Sequence, residues 1–144
     1  MKTGRPKRQK SKDDLEVYIT QDYKLVVPKD YPAKTRKKLN ESAKFLNDNG
    51  ISKRCDKAAW ERYCQMVFLA DENFDRLFEE GSTVTDERGI VRKHPSGQVH
   101  KDSSAAALRF EEQFGLTPLS RLRVKGEPKK EKDPLAEYMA KGAK

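Results

Sequence analysis

The chain has 144 residues, 38% of them charged and 35% hydrophobic, with a formal net charge of +8. That length fits one domain plus tails, and that polarity excludes one packed core running from end to end. No apolar run approaches the ~20 residues needed to cross a bilayer, and the basic opening stretch lacks the apolar segment of a secretory signal, so the protein is expected to stay in the cytoplasm of the cell that makes it.

Residues 1–12 hold six bases and no acid, residues 121–144 hold eight bases and four acids, and the residues between them hold 17 bases against 19 acids. A near-neutral body with basic ends suits a polyanion, because each phosphate contact releases condensed counterions. Basic tails that serve only solubility are the plainer alternative. Residues 1–12 are polar, contain Gly4 and Pro6, and are expected to be disordered. In residues 13–31, Leu15, Val17 and Ile19 alternate and Leu25, Val26 and Val27 follow. That pattern fits a loose strand pair or an extended arm laid on a neighbour.

A first helix is predicted over about Ala33–Asn49, with Leu39, Ala43 and Leu46 in one apolar stripe and Gly50 as the stop. A second and longer helix is predicted over about Lys53–Glu79, capped by Ser52 and ended by Gly81. Its apolar residues, from Cys55 through Tyr63, Met66, Ala70 and Phe74 to Phe78, recur in steps of three and four. On the order of 40 Å long, it exceeds the needs of one small core and suits packing against a partner helix or a second subunit. Cys55 and Cys64 fall nine positions apart on roughly opposite faces of it, which reads as two free thiols.

Residues 82–93 fit a β-hairpin turning at Asp86–Gly89, and His94-Pro95-Ser96-Gly97 reads as a loop. A third helix is predicted from Lys101 or Ser103 to Phe114, with Gly115 as its C-cap. Thr117 and Pro118 then open a short turn carrying Arg121 and Arg123. From Lys125 the chain is a charged tail in which Leu135, Tyr138 and Met139 lie at i, i+3, i+4, a short recognition helix after Pro134. The fold class is therefore mainly α: a small helical domain with a long central helix and a β-hairpin, between disordered basic tails. Three regions follow: residues 1–31 as a basic flexible arm and extended segment, 32–124 as the helical domain, and 125–144 as a charged tail.

No catalytic constellation emerges. His94 and His100 match no tight ligand spacing and read as exposed loop histidines. No Gly-rich phosphate loop is present, and no serine has a His with an orienting partner. No catalytic residue, metal or cofactor is expected. The sharper signals are basic. Thr3-Gly4-Arg5-Pro6-Lys7-Arg8 has the pattern of an AT-hook, in which Gly permits close approach, Pro keeps the chain extended and Arg5 enters the narrow minor groove; simple phosphate attraction by Arg5, Lys7 and Arg8 is the alternative. Lys34, Arg36, Lys37 and Lys38 open the first helix, and Lys53, Arg54 and Lys57 open the second. Bases there oppose the helix dipole, which invites a phosphate partner and a helix-turn-helix-like reading of the pair. A solvated face explains them equally well.

The run Glu111-Glu112-Gln113-Phe114-Gly115-Leu116-Thr117-Pro118-Leu119-Ser120-Arg121-Leu122-Arg123 resembles the closing signature of phage terminase small subunits. The His94-Pro95 junction, the long helix running into a Gly-terminated hairpin and the Gly4-Arg5-Pro6 opening are similar to that family as well. The resemblance covers about residues 32–124. It implies a non-enzymatic protein of the host cell cytoplasm that binds viral double-stranded DNA at the packaging site. It also implies a homo-oligomeric ring that regulates or recruits the large ATPase and nuclease subunit, with no membrane partner. DNA contact is expected at Arg5, Lys7, Arg8, Lys34, Arg36, Lys37, Lys38, Lys53 and Arg54. Partner or DNA contact is expected at Arg121, Arg123, Leu135, Tyr138 and Met139. The alternative function is a helix-turn-helix transcriptional regulator, and a protein-interaction adaptor is a third.

Overall fold

The structure, a computed structural model, describes residues 12–124. Five helices and one hairpin follow in order: α1 (Lys12–Thr20), α2 (Ala33–Asp48), a 3-10 turn (Arg54–Asp56), α3 (Lys57–Glu80), β1 (Thr83–Thr85), β2 (Val91–Lys93), α4 (Pro95–Phe114) and α5 (Pro118–Arg121). The molecule is mainly helical, with the long helix and the two-stranded hairpin that the periodicity predicts.

In α2, Thr35, Leu39, Ala43 and Leu46 are buried, one stripe at steps of four, four and three. The helix stops in a Schellman motif. Gly50, at φ 61°, donates to the Asn47 carbonyl, and Ile51 donates to the Leu46 carbonyl. The long helix begins later than its sequence suggests. Ser52 does not cap it; the Ser52 hydroxyl donates to the Tyr23 carbonyl, and the Asp56 carboxylate accepts the Lys53 N–H at 2.9 Å.

Residues 13–31 resolve into two different things. The alternating Leu15, Val17 and Ile19 belong to a helix, α1, not to a strand. Residues 23–27 are extended, and they lie on the chain's own core. Leu25 and Val27 point inward, while Val26 between them is 66% exposed. The Asn47 side chain takes the place of a neighbouring strand: its Oδ1 accepts the Leu25 N–H at 2.8 Å and its Nδ2 donates to the Leu25 carbonyl at 3.0 Å. Trp60 Nε1 donates to the Val26 carbonyl at 3.0 Å, and one antiparallel bridge joins Asp22 to Lys53. The segment's buried backbone groups are thereby satisfied without a sheet.

α3 and α4 form an antiparallel pair joined by the hairpin, whose register is Thr83 with Lys93 and Thr85 with Val91. At one end Trp60 and Tyr63 meet Phe110 and Phe114 with ring centroids 6.1–6.5 Å apart. With Leu25, Leu39, Leu46 and Cys64 these rings make the core. At the other end Phe74 meets His100 at 5.4 Å, and Leu77 passes Gly97. α4 starts at Pro95, several residues before the predicted Lys101. His94 caps it: its Nδ1 accepts the Ser96 N–H, and Pro95 occupies the first turn, where its missing N–H costs nothing. His94 is thus buried, and His100 is half-buried with Nδ1 donating to the Ala70 carbonyl at 2.9 Å. Neither is an exposed loop histidine.

The Gly115–Arg121 run closes the domain. Gly115 adopts φ 75° with the Val124 side chain packed over it, and Leu116 turns back to donate to the Glu111 carbonyl. Thr117 and Ser120 cap each other's backbone N–H groups, and the Arg121 guanidinium donates to the Leu116 carbonyl at 3.0 Å.

Candidate nucleic-acid interface

The bases of α2 divide into two sets. Lys34 and Lys38 flank the buried stripe and turn toward α3. Lys34 Nζ lies 2.7 Å from Asp75, and Lys38 Nζ lies 2.7 Å from Asp71, which also accepts the Thr35 hydroxyl at 2.8 Å. The hydrogen bond with Asp75 raises the Lys34 ammonium above its ordinary pKa. These pairs give the bases in the first turns of α2 a partner within the fold, which the sequence hides because Asp71 and Asp75 lie more than thirty positions away.

Lys37 points the other way, opposite the buried stripe, with Lys44 two turns further along the same line. Both are exposed, and among the described residues neither has an acid partner. Arg36 reaches the Lys29 carbonyl at 3.4 Å, so Lys29 joins this face. A shallow hollow of about 400 Å³ runs over it, lined by Arg36, Lys37, Asn40, Glu41 and Lys44. Lys29 and Lys44 were not among the predicted contacts. The seven-residue step from Lys37 to Lys44 is the signal that points to the second of them.

Lys53 and Arg54 sit apart from that face, beside the 3-10 turn. Lys53 pairs with Asp22 at 2.7 Å, and Arg54 donates to the Gln21 side chain at 3.1 Å. Arg121 and Arg123 are exposed at the α5 turn, next to Leu119 and Leu122, each 75% exposed. Arg5, Lys7, Arg8, Leu135, Tyr138 and Met139 lie outside the described residues. The α2–α3 connection spans residues 49–56, longer than the roughly three- to four-residue turn of a helix-turn-helix. α2 lies back along α3 through the Thr35–Asp71 and Lys34–Asp75 contacts.

A second surface is apolar. On the distal half of the α3–α4 pair, Phe74 and Phe78 of α3, Ile90 and Val91 of the hairpin and Val99 of α4 are all exposed, Phe78 at 84%. Among the described residues no cluster of three or more His, Cys, Asp or Glu is placed to hold a metal, and no helix is long and apolar enough to cross a membrane.

Residues 36–131 match a family model described as phage terminase, small subunit. No curated protein and no solved structure matches the chain. The family match spans most of the chain, and the protein belongs to the phage terminase small-subunit family. Its role is accordingly in phage DNA packaging.

Proposed function

We propose that this chain grips viral double-stranded DNA at the packaging site, assembles into a homo-oligomeric ring and delivers the DNA to the large terminase subunit in the host cytoplasm, itself catalysing no step. The observation that carries the DNA reading is the division of the α2 bases. Lys34 and Lys38 are neutralised by α3, whereas Lys37 and Lys44 are left to solvent on one line. Exposed bases with no acid partner keep their counterions until a polyanion displaces them. The Arg5, Lys7 and Arg8 stretch adds a second grip, and Lys53 and Arg54 flank the body.

Assembly rests on the distal apolar surface. Exposed Phe74, Phe78 and Val91 on a helical hairpin form a contiguous patch of the kind that marks a protein interface. Arg121 and Arg123 beside the exposed Leu119 and Leu122 suit contact with the large subunit. Binding measured against salt tests the DNA face. Lys37→Ala with Lys44→Ala lowers the slope of log K against log salt by about two contacts, close to 1 each, on any duplex sequence. An unchanged slope removes α2 from the interface. Native mass spectrometry tests the ring: an oligomer that Phe78→Asp dissociates supports it, and a strict monomer at micromolar concentration sinks it.

A further inference from the structure

The trough between α2, α3 and α4 has no part in the reading above. Its floor is apolar, formed by Val67 and Ala70 of α3 with Ala107 and Leu108 of α4, and its volume is about 420 Å³. Its rim carries Glu41 and Glu111, the latter accepting the Tyr63 hydroxyl at 3.2 Å. A second hollow of about 340 Å³ shares Glu41, Ser42, Tyr63 and Glu111 with the first and continues to Leu116 and Arg121. Together they run along α4 from the α5 turn to Ser104. The stretch from Ser104 to Glu111 alone is about 10 Å of helix.

The described chain ends at the mouth of this trough. Val124 packs over Gly115 and donates to the Ser120 carbonyl at 2.9 Å. Beyond it the sequence runs through Lys125, Lys129, Lys130 and Lys132 to Pro134, and then places Leu135, Tyr138 and Met139 on one helical face. From Val124 to Leu135 the chain can reach about 36 Å, ample to return along α4. The three apolar residues span about 6 Å as a helix, shorter than the trough floor. The lysines that precede them oppose the acids on its rim.

We propose that the C-terminal segment Leu135–Met139 docks in cis in the trough between α2, α3 and α4, with its apolar face on Ala107 and Leu108 and the preceding lysines against Glu41 and Glu111. A tether of this length gives an effective concentration in the mM range, so an intrinsic dissociation constant of about 0.1 mM leaves the docked form in roughly tenfold excess. The contact is autoinhibitory in kind, because a partner that takes Leu135, Tyr138 and Met139 must first displace them from the trough.

A photo-cross-linking residue in place of Tyr138 in the full chain tests this directly. Cross-linked peptides are identified separately from protein of monomer mass and of dimer mass. The expected result is monomer-mass cross-links to residues 63–70 or 104–111, reduced at least threefold by Leu108→Asp and by Glu41→Lys. Glu41 is exposed and outside the core, so its charge reversal reads the docking even where Leu108→Asp disturbs folding. Cross-links only between two copies, none to the trough, or yields unchanged by Glu41→Lys would each overturn it. The readout involves neither DNA nor the large subunit, so its failure leaves the packaging role standing and the reverse also holds.

Discussion

His94 holds Glu80 across the mouth of the hairpin: its Nε2 lies 2.8 Å from a Glu80 carboxylate oxygen, while its Nδ1 accepts the Ser96 N–H at 3.1 Å. An imidazole that accepts at Nδ1 carries its proton on Nε2, so the ring donates to Glu80. One side chain therefore caps α4 and ties it to the last turn of α3. His94→Ala is expected to cost about 1 kcal/mol, the usual worth of an N-cap, and to speed amide exchange in the first turn of α4. His94→Asn restores a cap and should recover most of that loss in urea unfolding. Equal losses in the two variants would show that the cap contributes nothing.

Asn47 and Trp60 both hold the extended segment. Asn47→Ala leaves the Leu25 N–H and carbonyl without partners, at a cost of about 1–3 kcal/mol per buried group. Trp60→Phe removes the bond to the Val26 carbonyl while keeping an aromatic ring beside Phe114. Both variants should make the chain more sensitive to trypsin at Lys24 before global unfolding. Protease resistance equal to the parent would mean that the segment is held by Leu25 and Val27 burial alone.

Gly115 and Gly89 form a matched pair. Both have positive φ, 75° and 76°. A Cβ on Gly89 meets open space, whereas one on Gly115 would lie 2.9 Å from the Val124 Cβ. Gly89→Ala should therefore cost only the left-handed backbone penalty, roughly 1–2 kcal/mol. Gly115→Ala should cost more, by the displacement of Val124 and the α5 turn. Denaturant midpoints compare the two, and equal losses would remove the packing argument.

Burial pushes the Cys64 thiol up to about 12 from 9.0, with the Glu61 carboxylate adding to the effect. A native pKa above the unfolded one stabilises the fold fully below the unfolded value and is lost as pH rises toward the native value. Stability should therefore be level below about pH 9 and fall above it. Tyr63, raised first by burial and then by Glu111, adds to the fall from about pH 10. Cys64→Ala should flatten the decline between about pH 9 and pH 10, measured as the urea midpoint. An unchanged decline would exclude Cys64 as its source.

What was legible in the sequence was local. The Leu39–Ala43–Leu46 stripe, Gly50, Gly115 and the Thr117-Pro118 cap each act within a few residues, and each does in the structure what its chemistry dictates. Leu15, Val17 and Ile19 misled because a nine-residue helix carries too few turns to separate a period of two from one of 3.6. The start of α4 was hidden because its cap is a histidine, outside the usual Ser, Thr, Asp and Asn set. At the candidate interface the basic cluster was visible, but its division was not. Asp71 and Asp75 reach Lys38 and Lys34 only once α2 has folded back on α3.

The Asn47 clamp on Leu25 also sets a length scale. By pinning residues 23–27 to α2, it fixes where α1 begins, and Arg5 lies no more than about 25 Å of chain from that point. Once one duplex rests on Lys37 and Lys44, the N-terminal bases search a small sphere instead of bulk solution. Capture by Arg5, Lys7 and Arg8 then becomes an intramolecular event. Loosening the clamp would widen that sphere and weaken DNA retention without altering a single base that touches phosphate.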